Sequence, residues 1–131
     1  MPERISSGSP FEASVGFSHA VRVGRRVIVA GTAPIWPDGS CDPSVEAQTR
    51  RCFTIIFEAL AKAGAAPEDV VRTRTFLTDR ADGDAVGRVH GELLGHVRPA
   101  ATMVAVAALM DSRWKVEIEA EAVMDRGTLG G

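Results

Sequence analysis

The sequence predicts an α+β layer fold, with two helices stacked on one face of a mixed sheet. Three observations carry this reading. The hydrophobic period switches in the order β-β-α-β-α-β-β along the chain. Turn chemistry, rich in Gly, Pro and Asp, sits at the switches. The length of 131 residues, with 45% hydrophobic and 24% charged residues, fits a single globular domain spanning 1–131.

The elements follow in order. His19-Ala20-Val21-Arg22-Val23 and residues 26–33 read as two apolar-rich strands joined at Gly24-Arg25, a hairpin turn. The second strand ends at Pro34, and Trp36-Pro37-Asp38-Gly39-Ser40 is a loop. From Ser44 the spacing becomes helical, with Val45, Cys52, Phe53, Ile56, Ala59, Leu60 and Ala63 on one face and Glu46, Arg50, Glu58 and Lys62 mainly on the other. Ser44 is the expected N-cap, with Asp42 before Pro43 as the competitor, and Gly64 the expected residue just past the C-terminus. Residues 70–77 are β-branched and alternate, placing Arg72, Arg74 and Phe76 on one side of a strand. A second helix is expected over about 84–94, weakened by Gly87 and Gly91 at roughly 1 kcal/mol each relative to alanine. Two last strands are expected over about 101–108 and 114–124.

Composition excludes several function classes. A net charge of −2, with Arg25-Arg26 and Arg50-Arg51 only as isolated pairs, gives no clustered basic face for nucleic acid. No apolar stretch approaches the roughly 18 residues of a membrane span, and no basic segment followed by an apolar run opens the chain, so no membrane partner is expected and the expected compartment is the cytoplasm. Cys41 and Cys52 form no Cys-x-x-Cys pair and read as reduced thiols, Cys52 as a small core hydrophobe. His90 and His96 lack the i,i+4 spacing of a helical zinc pair, and His19 stands alone in the first hairpin, so no metal is expected. Dinucleotide, P-loop and nucleophile-elbow motifs are missing from the sequence, and no cofactor is expected.

The stretch Arg98-Pro99-Ala100-Ala101-Thr102-Met103-Val104, followed by Lys115-Val116-Glu117-Ile118-Glu119-Ala120-Glu121-Ala122-Val123, resembles the closing signature of the RidA/YjgF family. The likeness runs from about Gly16 to Val123 and includes Ala30-Gly31, Gln48-Thr49-Arg50, Ala63-Gly64-Ala65, Glu68-Asp69-Val70-Val71 and Thr78-Asp79. The resemblance implies a chorismate-mutase-like sheet that closes with two copies into a trimeric barrel-like core. It also implies ligand clefts between subunits, where better-studied members hydrolyse enamines and imines.

In those members an arginine after Pro-Ala clamps the substrate carboxylate through two parallel, charge-assisted hydrogen bonds. Ala101 occupies that position here and supplies neither charge nor donor. Losing such a buried partner typically costs about 2–5 kcal/mol of binding. Phe17 stands where the resemblance expects a phenolic hydroxyl, Ala30 where it often has serine, and Met103 where some members carry cysteine. Gly31 and Glu117, the family's water-positioning glutamate, remain. Against that role, Glu117, Glu119 and Glu121 alternate with apolar residues, and as the polar face of a strand they would pair with Arg72 and Arg74. Arg98 is a candidate replacement anchor, held extended by Pro99, or else a solvated or intersubunit arginine.

Three readings follow. The first is a small-molecule-binding RidA-like homotrimer with a cleft lined by Phe17, Ala30, Gly31, Thr32, Arg98, Ala101 and Met103, without the usual deaminase activity. The second is an enamine or imine deaminase of a non-standard substrate, with Glu117 activating water and the backbone N–H of Gly31 or Thr32 as an oxyanion donor. The third is a non-catalytic interaction protein, or the ribonuclease role attributed to some relatives, against which the acidic balance stands.

Overall fold

The computed structural model describes residues 2–125. Six strands, β1 (Glu3–Ile5), β2 (Ala20–Val23), β3 (Arg26–Thr32), β4 (Val70–Leu77), β5 (Ala100–Ala105) and β6 (Val116–Val123), form one sheet in the order β1-β2-β3-β6-β4-β5. The helices are α1 (Val45–Lys62) and α2 (Gly83–Leu94). Every pairing is antiparallel except β4 with β5, which is parallel and needs α2 as its crossover. The expected α+β mixed sheet with two helices is therefore the architecture observed. A short strand, β1, and a single π-helical turn at Glu12–Gly16 are added ahead of the first predicted hairpin.

Helix α1 begins and ends where its chemistry dictates. Ser44 is extended (φ −75°, ψ 127°) and its side chain accepts from the Ala47 N–H, while the Asp42 carboxylate accepts from the Ser44 N–H at 2.8 Å. Gly64 follows the helix at φ +87°, a left-handed conformation that costs glycine nothing. The buried stripe of α1, Cys52, Phe53, Ile56, Ala59 and Leu60, packs on Val27 and Val29 of β3 and on Val116, Ile118, Ala120 and Ala122 of β6. Under α2, His90 meets Thr73 of β4 through a 2.8 Å hydrogen bond and abuts the Phe53 ring edge-on.

Three sequence expectations are corrected. Strand β5 stops at Ala105 rather than running to about 108, because its partner β4 ends at Leu77 opposite Ala105 and the Val106 N–H makes the final bond to the Leu77 carbonyl. Strand β6 begins at Val116 rather than 114, because Trp114 still belongs to a turn that its N–H closes on the Asp111 carbonyl. Arg98 is not extended: its φ is +57°, and its N–H bonds to the Leu94 carbonyl. The hydrogen bond that terminates the turn after α2 outweighs both the preference imposed by Pro99 and the left-handed penalty of about 1–2 kcal/mol.

Candidate functional site

The alternation of β4 and β6 sorts their side chains onto two faces. Thr73, Thr75 and Leu77 lie with Val116, Ile118, Ala120 and Ala122 beneath the helices. Arg72, Arg74 and Phe76, with Glu117, Glu119 and Glu121, are half-buried on the opposite, helix-free face. In register, Glu121 sits beside Arg72, Glu119 beside Arg74, and Glu117 beside Phe76.

The ion pairs on this face take up two of the three glutamates. Arg74 lies 3.5 Å from Glu119 and 3.6 Å from Glu121, and Arg26 lies 3.0 Å from Glu121. Glu117 has no ion pair and no hydrogen bond to its carboxylate among the described residues. Its neighbour on β4 is a phenylalanine, not an arginine, so the expected pairing with Arg72 or Arg74 falls to the other two glutamates. Burial, reinforced by the nearby Glu119 charge, pushes the Glu117 carboxyl above the ordinary carboxylate range.

Gly31 completes this corner. The β3–β6 register shifts between Val29 and Thr32, a bulge that brings the Gly31 backbone under Glu117. A β-carbon built on Gly31 would overlap Glu117 Oε2, so only glycine leaves the carboxylate where it is. Gln48, fully buried in α1, anchors the approach to β6: its amide donates to the Asp42 and Arg113 carbonyls at 2.8 and 2.9 Å, and its Oε1 accepts from the Lys115 N–H at 2.7 Å.

The other candidates lie elsewhere. Ala101 and Met103 register with Thr73 and Thr75 in the parallel pair, which turns them toward the helix side of the sheet, opposite Glu117. All six residues of β5 are exposed. Strand β4 separates β5 from β6. Arg98 is exposed at the end of the turn that leads into β5, and Phe17 is exposed at the end of the π-helical turn. One chain thus brings together Ala30, Gly31, Thr32 and Glu117, and places Ala101, Met103 and Arg98 at the far edge.

Sequence reasoning gave no site role to Phe76, which is in register with Glu117, or to His19, which contacts Thr32 beside Gly31. Phe76 is the apolar member of an otherwise charged row, a signal visible in the alternation. His19, just ahead of β2, is buried with Nε2 3.3 Å from Thr32 Oγ1 of β3, a contact that no sequence spacing reveals.

Comparison with known proteins bears on the family and the fold. The profile of the family described as Endoribonuclease L-PSP matches residues 8–124. The crystal structure of Rv2704 from Mycobacterium tuberculosis, a member of the YjgF/YER057c/UK114 family, superposes with a TM-score of 0.87 at 44% identity over 94% of this chain and 99% of that one. The chain belongs to the RidA/YjgF family. Among the relatives of this RidA-like chain, the uncharacterized protein SCO2049 of Streptomyces coelicolor is 47% identical over 122 residues, covering 91% of this chain and 90% of that protein. The 2-iminobutanoate/2-iminopropanoate deaminase of Capra hircus is 34% identical over 123 residues, covering 92% and 89%. Among the described residues of the RidA-like chain no helix is long and apolar enough to cross a membrane, and no group of three or more His, Cys, Asp or Glu side chains could hold a metal ion.

Proposed function

We propose that this RidA-like protein binds a small organic ligand lacking a carboxylate, in clefts between copies of the chain arranged as a trimer. One wall is the Gly31–Glu117 corner, and the other is the β5 edge of the next copy with Ala101 and Met103. The observation that carries this reading is the placement of those two sets on opposite faces of the sheet, with β4 between their strands. Beside this corner, over the ion-pair row, the helix-free face of one chain has a depression of about 230 Å3 lined by Ile28, Ala30, Arg72, Arg74, Glu119 and Glu121, which does not reach Gly31 or Glu117 and is below the roughly 300–1,000 Å3 of small-molecule sites. A second copy supplies the missing wall.

The ligand class follows from charge. Glu117 carries no counter-cation among the described residues, and Ala101 gives a carboxylate nothing to bind, so a neutral or cationic ligand is favoured over an amino-acid-derived imine. The test is hydrolysis of 2-iminopropionate, generated in place by an amino-acid oxidase and competed by semicarbazide. The native protein is expected to be inactive, with a gain in Ala101→Arg. Substantial native activity overturns this reading in favour of the deaminase one. That second reading rests on the raised Glu117 carboxyl, which suits a general base for water.

A further inference from the structure

We propose that His19 and Thr32 are positioning residues that lock the β3 bulge and so hold Gly31 against Glu117. The geometry closes a ring around Gly31. The Ala30 N–H donates to the His19 carbonyl at 2.8 Å. The Thr32 hydroxyl donates to the Ala30 carbonyl at 2.9 Å. That donation uses the hydroxyl's one proton, so the 3.3 Å contact with the His19 ring is made by an Nε2–H donating to Thr32 Oγ1. Both residues flanking Gly31 are therefore tied to His19, the residue just before β2. His19 and Thr32 are 7% and 3% exposed, so water does not compete for these bonds.

A bulge leaves its extra residue without ladder partners, and something outside the ladder must fix its shape. Here that is the ring above. Without it the Gly31 backbone is free to relax toward a regular register, the carboxylate loses its close neighbour, and water gains access to Glu117. The imidazole stays neutral because burial depresses its basicity, against the opposing pull of Glu12 and with the help of Lys62. A neutral ring can still donate from Nε2, so the lock does not need a charge.

The proposal rests on Gly31 and Glu117 forming a wall of the ligand cleft, and its test is read without a ligand. The side-chain carboxyl carbon of Glu117 is titrated by 13C NMR in the full-length native protein and in Thr32→Val, Thr32→Ser, His19→Leu and His19→Gln. The native midpoint is expected above the ordinary glutamate value of about 4.3. Thr32→Val and His19→Leu should move it down toward that value, with Thr32→Ser and His19→Gln restoring it because each keeps a donor in place. Val29→Ala, which removes buried volume from the same strand, should lower thermal stability and leave the midpoint unmoved. The same midpoint in native and Thr32→Val, equal effects of valine and serine, or a Val29→Ala shift as large as that of Thr32→Val would overturn the lock. If Thr32→Val does not fold, the His19 pair decides. Absence of any ligand with the titration shifts as expected would instead refute the proposed function and leave the lock standing.

Discussion

Along β6, Val116, Ile118, Ala120 and Ala122 are buried against the helices, while Glu117, Glu119 and Glu121 look out from the opposite face only half-buried. The two faces share a backbone and a period of two, yet are held by different forces. The helix side rests on close-packed apolar contact, which is short-ranged and indifferent to salt. The open side rests on ion pairs, each weak in water, around a carboxylate that has none among the described residues. The comparison teaches that stability here resides on one face and that the other is free to carry chemistry, since its residues contribute little to the fold of the single chain.

The largest effect that tests this division is on the helix side. Phe53 is fully buried and touches both Phe57 and His90. Phe53→Ala should cost about 3–5 kcal/mol in denaturant unfolding, from lost transfer energy plus the residual cavity. A cost near 1 kcal/mol would mean that the helix layer is not where the stability lies.

The edge strand gives the next test. Val104 is 44% exposed on β5, in register with Phe76 on the open face. Val104→Asp should leave the fold of one chain intact, by circular dichroism, while shifting the molecule to a smaller species in sedimentation. A native protein that sediments as a monomer would remove the second cleft wall altogether. An exposed edge of six residues is the part of a sheet most in need of a partner.

Much of the helix side was legible in the sequence, because it is written in local terms. The Ser44 cap, the Gly64 stop and the Cys52–Phe53–Ile56–Leu60 stripe depend on neighbours within a few residues, and each is found where the pattern puts it. The candidate site was legible only in part. Glu117 and Gly31 stand out by resemblance, but their contact depends on a bulge and joins residues 86 apart in sequence. Which glutamate takes Arg74 is likewise a matter of register, and register between β4 and β6 is fixed by tertiary packing. Strand β1 has three residues with one buried side chain, Ile5, too short to show a period. Arg98 shows a local rule outweighed by a hydrogen bond to Leu94, four residues earlier.

Acid separates the two faces by sign. Burial lowers the basicity of His19 and His90, so the unfolded chain takes up protons first. Their contribution is fully present above about pH 6.5 and is lost as the pH falls below it. Glu117 behaves oppositely: its raised carboxyl binds a proton more tightly when folded, so its contribution is present at low pH and lost as the pH rises through the folded value. Glu117→Gln should therefore raise the melting temperature at pH 7.5 by on the order of a few °C, with the gain shrinking as the pH is lowered toward 4.5. A loss of stability at pH 7.5 would show that the carboxylate has a cationic partner in the assembled protein.

The smallest expected effect is on the ion-pair row. Arg74 bridges Glu119 and Glu121, with its side chain 42% exposed. In a solvated row such a bridge is worth about 0.2–1 kcal/mol and is weakened further by salt, so Arg74→Ala should cost no more than that in denaturant unfolding and less at high ionic strength. If the open face is instead roofed by neighbouring copies, the same substitution strands the Glu119 carboxylate out of water, while Glu121 keeps Arg26, and the cost rises to about 3–5 kcal/mol with little dependence on salt. Measuring Arg74→Ala beside Val104→Asp tells these cases apart: in the Val104→Asp background the row is solvated again, and the Arg74→Ala penalty should fall back to the lower range.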